Sequence, residues 1–202
     1  MSREIIAIGD IHGFKTVLIG LLAKLNARHD LQEIPVVFLG DYVDRGDDEF
    51  GTLDYLIELE AKFQNFIFLL GNHEQDWIDN GHPSGHEIKP HHLAFIKRCR
   101  LYHTAKKFAF AHGGIPHCYK QIENVPTHEL LLARNTWSGY NQYKLVVGHT
   151  IVPKVEDFGN YICTDTGVYM NGKANLSAVV LNDDNGKIVD TITEYNPKAN
   201  WC

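Results

Sequence analysis

The stretch that decides the fold is residues 36–46, Val36-Val37-Phe38-Leu39-Gly40-Asp41-Tyr42-Val43-Asp44-Arg45-Gly46. An apolar run of strand length ends at a glycine, which permits a sharp turn, and two carboxylates and an arginine follow. Asp, Arg and Gly are ordinary turn residues, so the stretch alone fits a solvated loop equally well. In an α/β chain, however, the carboxyl end of a buried strand is where ligands usually bind. The rest of the chain decides between the two.

The same pattern occurs after two other apolar runs. Gly9 and Asp10 follow the run 4–8, and Gly71 and Asn72 follow the run 66–70. Amphipathic stretches at 15–25 and 50–63 carry leucines at helical spacing between the runs. Strand, helix and strand in succession predict a βαβ unit and a parallel sheet. Because a polar side chain follows the glycine after all three runs, we expect one constructed site at a single edge of this sheet.

The second half of the chain adds further predicted strands. Runs at 106–111 and 145–147 are followed by His112 and His149, and a helix is expected at 128–137. Runs at 161–164, 176–181 and 188–195 also read as strands, with the hairpin-turn signal 183–186 between the last two. These late strands predict either a second sheet or antiparallel additions to the first. Residues 81–92 lack hydrophobic periodicity and predict a loop, with a short helix at 91–100.

Composition limits the class of protein. A chain of 202 residues is expected to form one domain, residues 1–202, with a sizeable core. The net charge of −6 argues against binding to a nucleic-acid backbone. No apolar run approaches the roughly 18 residues of a membrane span, and no signal peptide is recognised. The four cysteines form no CxxC pair, which favours free thiols and a cytoplasmic location.

The polar residues that follow the strands are all potential metal ligands: Asp10, His12, Asp41, Asn72, His112 and His149. Carboxylate, amide and imidazole donors without a thiolate suit Mn²⁺, Fe or Zn²⁺, and three imidazoles make Mg²⁺ a poorer choice. Six ligands are more than one open catalytic ion usually takes from a protein. Two divalent metals that share a bridging carboxylate are the simplest arrangement.

Together these residues resemble a known family. The motifs that carry the resemblance are Gly9-Asp10-Ile11-His12-Gly13, Gly40-Asp41-Tyr42-Val43-Asp44-Arg45-Gly46, Gly71-Asn72-His73-Glu74, His112-Gly113-Gly114 and Gly148-His149. Their types and order are similar to those of calcineurin-like metallophosphoesterases, and in particular to the compact phosphoprotein phosphatases of bacteria and phages. They span residues 9–149, and all of them occurring in this order makes the match specific.

The resemblance implies a fold and a set of ligands. The fold is mixed α/β, with two facing β-sheets flanked by helices and the active site at the strand ends. Asp10 and His12 would hold the first metal, and Asp41 would bridge. Asn72, His112 and His149 would hold the second metal, and for both metals we expect Mn²⁺ first. The family also has a phosphate-binding arginine before the last metal histidine, and Arg134 occupies that place.

The chemistry of a phosphoesterase assigns the remaining residues. Two cations lower the pKa of a shared bridging water, and the hydroxide attacks phosphorus directly. His73 is the expected general acid for the leaving oxygen, and Asp44 would orient its imidazole. Arg45 offers a planar fork for phosphate oxygens, although it could instead pair with Asp44 or Glu74. For Glu74 we expect a structural role.

Several alternatives remain open at this stage. The expected activity is hydrolysis of phosphate monoesters by a protein Ser/Thr phosphatase, acting on a phosphoprotein or a small phosphate ester. Symmetrical hydrolysis of diadenosine tetraphosphate uses the same metal core, and a non-catalytic phosphate-binding scaffold would retain the fold. Four further histidines could form another metal site, but we expect them to be loop residues at the surface: His82, His86, His91 and His92. Trp137 is expected to be a packing residue, and the oligomeric state is not predicted.

Overall fold

The mixed α/β fold expected from the sequence is confirmed. The computed structural model describes residues 3–134, 143–170 and 174–198. The helices in these ranges are α1 Lys15–Asn26, α2 Glu49–Lys62, α3 Asn72–Asn80, α4 Pro90–Arg98 and α5 Thr127–Leu132, with a short 3₁₀ turn at Ile122–Asn124. The strands are β1 Glu4–Ile8, β2 Val36–Phe38, β3 Phe66–Phe68, β4 Tyr102–Thr104, β5 Phe108–Ala111, β6 Lys144–Val147, β7 Glu156–Asp157, β8 Tyr161–Cys163, β9 Asn175–Asn182 and β10 Lys187–Tyr195.

The first sheet contains the predicted βαβ units. Its strand order is β10-β9-β1-β2-β3, and β1, β2 and β3 are mutually parallel. The two C-terminal strands join this sheet in antiparallel orientation, connected by the predicted hairpin turn. The sequence had left open whether they add to the first sheet or form another. They add to the first sheet.

The second sheet is built from the middle of the chain, in the order β4-β5-β6-β8-β7. Its strands β5, β6 and β8 are parallel, and the short strands β4 and β7 pair in antiparallel orientation at its two edges. The carboxyl ends of β5 and β6 therefore lie at one edge of this sheet. Those ends carry His112 and His149.

The two sheets face each other across an apolar layer. Alternate residues of the first sheet, such as Ala7, Val37 and Val179, pack in one cluster with Phe110 and Val146 of the second. The outer face of the first sheet packs against helices α1 to α4, and that of the second against α5 and the 3₁₀ turn. Strand residues alternate between the two faces, so every central strand is buried on both sides. This layered packing holds the two site-bearing edges together.

Helix α3 is an element that the sequence did not predict. It begins at Asn72, directly after Gly71 and four residues beyond the last residue of β3. Its buried side chains are Glu74 and Trp77, a carboxylate and an aromatic, so it has no apolar stripe for periodicity to detect. The expected helix 128–137 is also shorter, since α5 ends at Leu132. Trp137 lies outside the described residues.

No helix in the described ranges has both the length and the apolar character needed to cross a membrane.

Gly40 allows the ends of β2 and β3 to touch. Its φ is +97°, and a Cβ atom placed on it would lie 2.6 Å from the Gly71 nitrogen and 2.7 Å from the Gly71 Cα. Gly40 precedes Asp41, and Gly71 precedes Asn72. The close approach of these two glycines therefore brings two predicted metal ligands to adjacent positions.

We expect Gly40→Ala to destabilise the protein by about 3 kcal/mol or more, because the methyl group adds a backbone clash to an unfavourable φ. Gly81→Ala is the matched control, since Gly81 has a φ of +80° and a Cβ atom added there would meet nothing within 4 Å. The cost of Gly81→Ala should be about 1–3 kcal/mol, from conformation alone, because the Gly81 ψ of −177° places this residue in a region that is nearly restricted to glycine. Urea unfolding of both variants measures the difference. Equal urea midpoints for the two variants would show that the contact between Gly40 and Gly71 has room for a methyl group.

Candidate functional site

The predicted donor residues meet where the strand ends of the two sheets come together. They are Asp10 and His12 after β1, Asp41 after β2, Asn72 after β3, His112 after β5 and His149 after β6. The backbone N–H groups of Ile11 and His12 both donate to the Asp41 carbonyl, at 2.9 and 2.8 Å. Across the sheets, His112 Nδ1 lies 2.8 Å from the Leu39 carbonyl oxygen. The loops are thus tied to one another by hydrogen bonds to the main chain.

The carboxylate of Asp41 lies at the centre of the donors. Its Oδ2 atom is 3.3 Å from His112 Nε2 and 3.8 Å from His12 Nε2. The donor atoms of His12, Asp41 and His73 lie within 4.8 Å of one another, and so do those of Asp41, His112 and His149. Asp41 is common to both groups, as a residue that bridges two metals must be. Asn72 adds its Oδ1 atom 2.9 Å from His112 Nε2.

Two imidazoles have their orientation set by backbone carbonyl groups. Nδ1 of His12 lies 3.0 Å from the Val43 carbonyl oxygen, and Nδ1 of His112 is placed in the same way against Leu39. Burial opposes a charge on His112, but the charge of Asp41 and the hydrogen bond to it raise the pKa of this imidazole. When Nδ1 donates to a carbonyl and the ring is neutral, the Nε2 lone pair is directed at the cluster. At His112 this lone pair faces the oxygens of both Asn72 and Asp41. A cation is the natural partner for three such acceptors.

The charge balance of the cluster also suits cations. Burial, together with the charges of Asp165 and Asp41, raises the pKa of Asp10 well above its usual value. Burial lowers the pKa of both His12 and His149 to about 4, so these imidazoles stay neutral at physiological pH. Neutral imidazoles beside buried carboxylates are the donor set of a mixed oxygen and nitrogen metal site. The residues present fit a pair of divalent ions.

Asp10 is placed differently from the other predicted ligands. Both of its oxygens accept the backbone N–H of His149, at 3.0 and 3.2 Å, and it belongs to neither of the two compact donor groups. Its carboxylate thus joins the end of β1 to the end of β6 across the two sheets. It remains close enough to Asp41 for the two charges to interact.

Asp165 is a site residue that the sequence analysis missed. It follows β8, its side chain is buried, and Oδ1 accepts the N–H of Gly167 at 2.9 Å. Burial raises the pKa of Asp165 to about 6, and the Asp41 charge acts in the same direction. The glycine signal of the other site strands is absent here, because Thr164 precedes the carboxylate and Gly167 follows it. The predicted strand 161–164 ended one residue before it.

His73 and Asp44 form the expected pair. His73 Nδ1 lies 2.5 Å from Asp44 Oδ2, and the other Asp44 oxygen accepts the indole N–H of Trp77 at 3.0 Å. Burial works against a charged imidazole, but the hydrogen bond that His73 donates to Asp44 and the nearby Asp41 charge raise the pKa of His73. With Nδ1 held by Asp44, Nε2 is directed inward and lies 3.9 Å from Asp41 Oδ2.

Glu74 holds the loop after β2 in place. Its buried carboxylate accepts the backbone N–H groups of Asp41, Tyr42, Val43 and Gly71, at 2.7 to 3.1 Å. This is the structural role expected from the sequence, with the backbone as partner. Burial raises the pKa of Glu74 to about 7, and the amide hydrogen bonds oppose that shift. The loop that carries Asp41 is thereby fastened to the start of α3.

The two predicted phosphate-binding arginines lie at the edges of the cluster. Arg45 is exposed, its guanidinium stands 5.4 Å from the centre of the Tyr169 ring, and it forms no ion pair with any described residue. The alternative pairing with Asp44 or Glu74 is therefore not observed. Arg134 donates from Nη1 to the His149 carbonyl at 2.9 Å. Both guanidinium groups keep further N–H donors for an anion.

Backbone strain is concentrated at this site. Within the described ranges, the non-glycine residues with positive φ are His12, Asp41, Asp44, Arg45 and His149, with values of 48° to 72°. All of them are predicted site residues. Left-handed conformations of non-glycine residues are unfavourable, and they persist where the surrounding structure imposes them. Here the turns after β1, β2 and β6 are bent so that side chains converge.

Four histidines of residues 81–92 form two separate groups beside α2: His82 with His86, and His91 with His92. His82 contacts Glu49 through Nε2 and accepts the Ser84 N–H at Nδ1, so its Nε2 carries the proton and has no free lone pair. His91 and His92 both approach Asp54 Oδ1, at 3.1 and 2.6 Å. The expectation of surface loop histidines is wrong for His82 and His92, which are buried, and α4 already begins at Pro90. His86 is exposed.

Comparison with known proteins agrees with this geometry. Residues 3–189 match the family model of the calcineurin-like phosphoesterases. Serine/threonine-protein phosphatase 2 of Salmonella typhimurium is 29% identical over 210 residues, which cover 88% of this chain and 92% of the relative. Serine/threonine-protein phosphatase 1 of the same organism is 27% identical with the same coverage.

A solved structure described as a putative diadenosine tetraphosphatase is similar in fold. The TM-score is 0.76 at 22% identity, and the match covers 97% of this chain and 96% of the other. At this identity the likeness concerns the fold alone. The family match spans nearly the whole chain, and the chain therefore belongs to the calcineurin-like phosphoesterases and is a metal-dependent phosphoesterase.

Proposed function

We propose that this chain is a protein Ser/Thr phosphatase that uses two divalent metal ions to hydrolyse phosphate monoesters. The observation that carries the proposal is the position of Asp41, whose carboxylate belongs to two donor groups at once, next to the paired His73 and Asp44. A simple phosphate-binding protein has no need for a general acid. Membership in a phosphoesterase family likewise favours catalysis over the non-catalytic scaffold.

The metal ions are assigned to the converging donors. Asp10 and His12 would hold one ion, Asn72, His112 and His149 the other, and Asp41 both. When bound, a pair of divalent ions lowers the pKa of a water molecule and neutralises phosphoryl oxygens. We propose Mn²⁺ first, with Fe or Zn²⁺ as alternatives, since oxygen and imidazole donors without a thiolate suit all three metals.

His73 would deliver a proton to the leaving oxygen. Asp44 receives the Nδ1 hydrogen bond, and Trp77 holds the second Asp44 oxygen, so the imidazole cannot turn away. The proton available for catalysis is then the one on Nε2. The raised pKa of His73 favours the protonated imidazole, which is the form that a general acid requires.

Arg45 would bind two phosphate oxygens. Its guanidinium lies over the Tyr169 ring, and Tyr169 in turn contacts the edge of His12, with ring centres 4.9 Å apart. This stacking limits where an exposed side chain can go without consuming its hydrogen-bond donors. Arg134, held at the His149 carbonyl, is proposed as a second and weaker phosphate contact.

The choice of substrate rests on the relatives. Two relatives that cover most of both chains are named Ser/Thr protein phosphatases, and this supports a phosphoprotein. The fold likeness to a putative diadenosine tetraphosphatase keeps symmetrical hydrolysis of that dinucleotide as the second candidate. A cytoplasmic location and a single domain stay predictions.

A side-by-side assay separates the two candidates. In Mn²⁺, we expect kcat/KM for phosphoserine or phosphothreonine peptides to exceed that for diadenosine tetraphosphate by about tenfold or more. p-Nitrophenyl phosphate serves as the reference for a working metal centre. A higher kcat/KM for diadenosine tetraphosphate than for the phosphopeptides would contradict the proposed function and support the dinucleotide hydrolase. Absence of metal-stimulated turnover on all three would contradict catalysis itself.

His73→Asn is expected to lower kcat by about 10²–10⁴-fold while the metal content stays unchanged, because only the proton donor is lost. Asp44→Asn should give a smaller decrease, since the imidazole remains but is held less firmly. His128→Asn is the control, as His128 is on α5 with 73% of its side chain exposed. Unchanged turnover in His73→Asn would remove this residue from the role of acid.

Metal binding is expected to stabilise the fold measurably. An ion at about 100 times its Kd adds about 2.7 kcal/mol to the free energy of unfolding. After treatment with a chelator, Mn²⁺ should therefore raise Tm of the wild type and of His128→Asn. His112→Asn and His12→Asn should lose most of this increase and bind less metal per chain by elemental analysis. A full Tm increase in both variants would contradict the assigned ligands.

A further inference from the structure

A cavity of about 560 Å³ opens directly beside His73. We call it the leaving-group pocket, and its lining includes Asp44, Arg45, Glu49, His73, Asp76 and Ser84. It therefore shares three side chains with the proposed phosphate and proton-transfer site. The group that leaves with the oxygen must lie next to the acid that protonates this oxygen. The cavity is the adjoining space for that group.

Two of the acidic side chains in the pocket already have partners. Asp44 is bonded to His73 and Trp77, and Glu49 contacts His82 and accepts the Asp44 N–H. Their charges are thus shared with imidazole, indole and amide groups. They shape the wall of the pocket more than they attract a ligand.

Asp76 is different. It is exposed, lies one helical turn after His73 on α3, and therefore faces the same side of this helix. One oxygen accepts the amide of Asn80 at 2.6 Å, and no described cation forms an ion pair with it. Asp76 brings its negative charge to the lining of the pocket. Among the described lining residues, one is a lysine or arginine, and it is Arg45. Arg45 itself would be met by the substrate phosphate.

We propose that the leaving-group pocket receives the peptide segment beside the phosphorylated residue, and that Asp76 selects segments carrying arginine or lysine. The inference rests on the proposed protein phosphatase function and adds a sequence preference to it. A diphosphate leaving group, as in symmetrical hydrolysis of diadenosine tetraphosphate, would bring negative charge into the same pocket. Like charges in contact are unfavourable, so the pocket disfavours that substrate.

The test compares two phosphoserine peptides that differ in one flanking residue, arginine or glutamate, with the full chain in Mn²⁺. The ratio of their kcat/KM values cancels any general change in activity. In the wild type we expect the arginine peptide to be favoured by about fivefold to tenfold, and added salt to reduce this preference. Asp76→Asn should lower the ratio by about threefold or more, and Asp76→Lys should invert it.

Asp79→Asn is the matched control. Asp79 is on the same helix and is also exposed, but its carboxylate is bonded to Gln75 at 3.0 Å and does not line the pocket. For Asp79→Asn, the ratio of the two kcat/KM values should stay within about twofold of the wild-type ratio. The substitution changes the net charge of the protein but leaves the pocket unchanged. Equal ratios in Asp76→Asn and Asp79→Asn, or no preference in the wild type, would overturn the inference alone. Turnover of p-nitrophenyl phosphate without turnover of either peptide would overturn the proposed function as well.

Discussion

The site depends on one buried carboxylate that binds no substrate and no metal in our assignment. Glu74 accepts four backbone N–H groups, three from the loop after β2 and one from the end of β3. Hydrogen bonds to a charged group contribute about 1.5–3 kcal/mol each, and the buried donors of this loop would otherwise lose their partner. Burial of the charge is costly, as the raised pKa of Glu74 indicates. The hydrogen bonds to Glu74 fix the position of Asp41 relative to His73, which is on the same helix as Glu74.

The same constraint explains where the strain is located. Asp41, Asp44 and Arg45 all have positive φ in the loop that Glu74 fastens. A free loop would relax towards more favourable angles, and the three side chains would then diverge. The hydrogen bonds to Glu74 and the contact between Gly40 and Gly71 make the bent conformation the stable one. The strained conformation of this loop thus orients three side chains together. They are Asp41 as the proposed metal bridge, Asp44 as the proposed partner of His73, and Arg45 as the proposed phosphate-binding residue.

The charges on the two sides of His73 have different consequences. On the inner side, the carboxylates of Asp10, Asp41 and Asp165 are buried beside several imidazoles, a combination that suits divalent cations. On the outer side, Asp76 lies in an open pocket where a mobile cationic side chain can reach it. His73 stands between them, with its Nδ1 atom fixed by Asp44. The proposed metal site and the proposed leaving-group pocket are thus separated by one imidazole.

The sequence alone determined the parallel strands, the residues at their ends and the family. Glycine followed by a metal-capable residue after apolar runs is a local pattern, and the ends of parallel strands meet at one edge by geometry. Only the tertiary structure decided that the C-terminal strands join the first sheet, that Asp165 enters the site and that α3 begins at Asn72. These features depend on contacts between distant residues. Helix α3 is stabilised by a buried Glu74 and Trp77, whose partners lie in the loop after β2, and such long-range hydrogen bonds leave no periodic signal in the sequence.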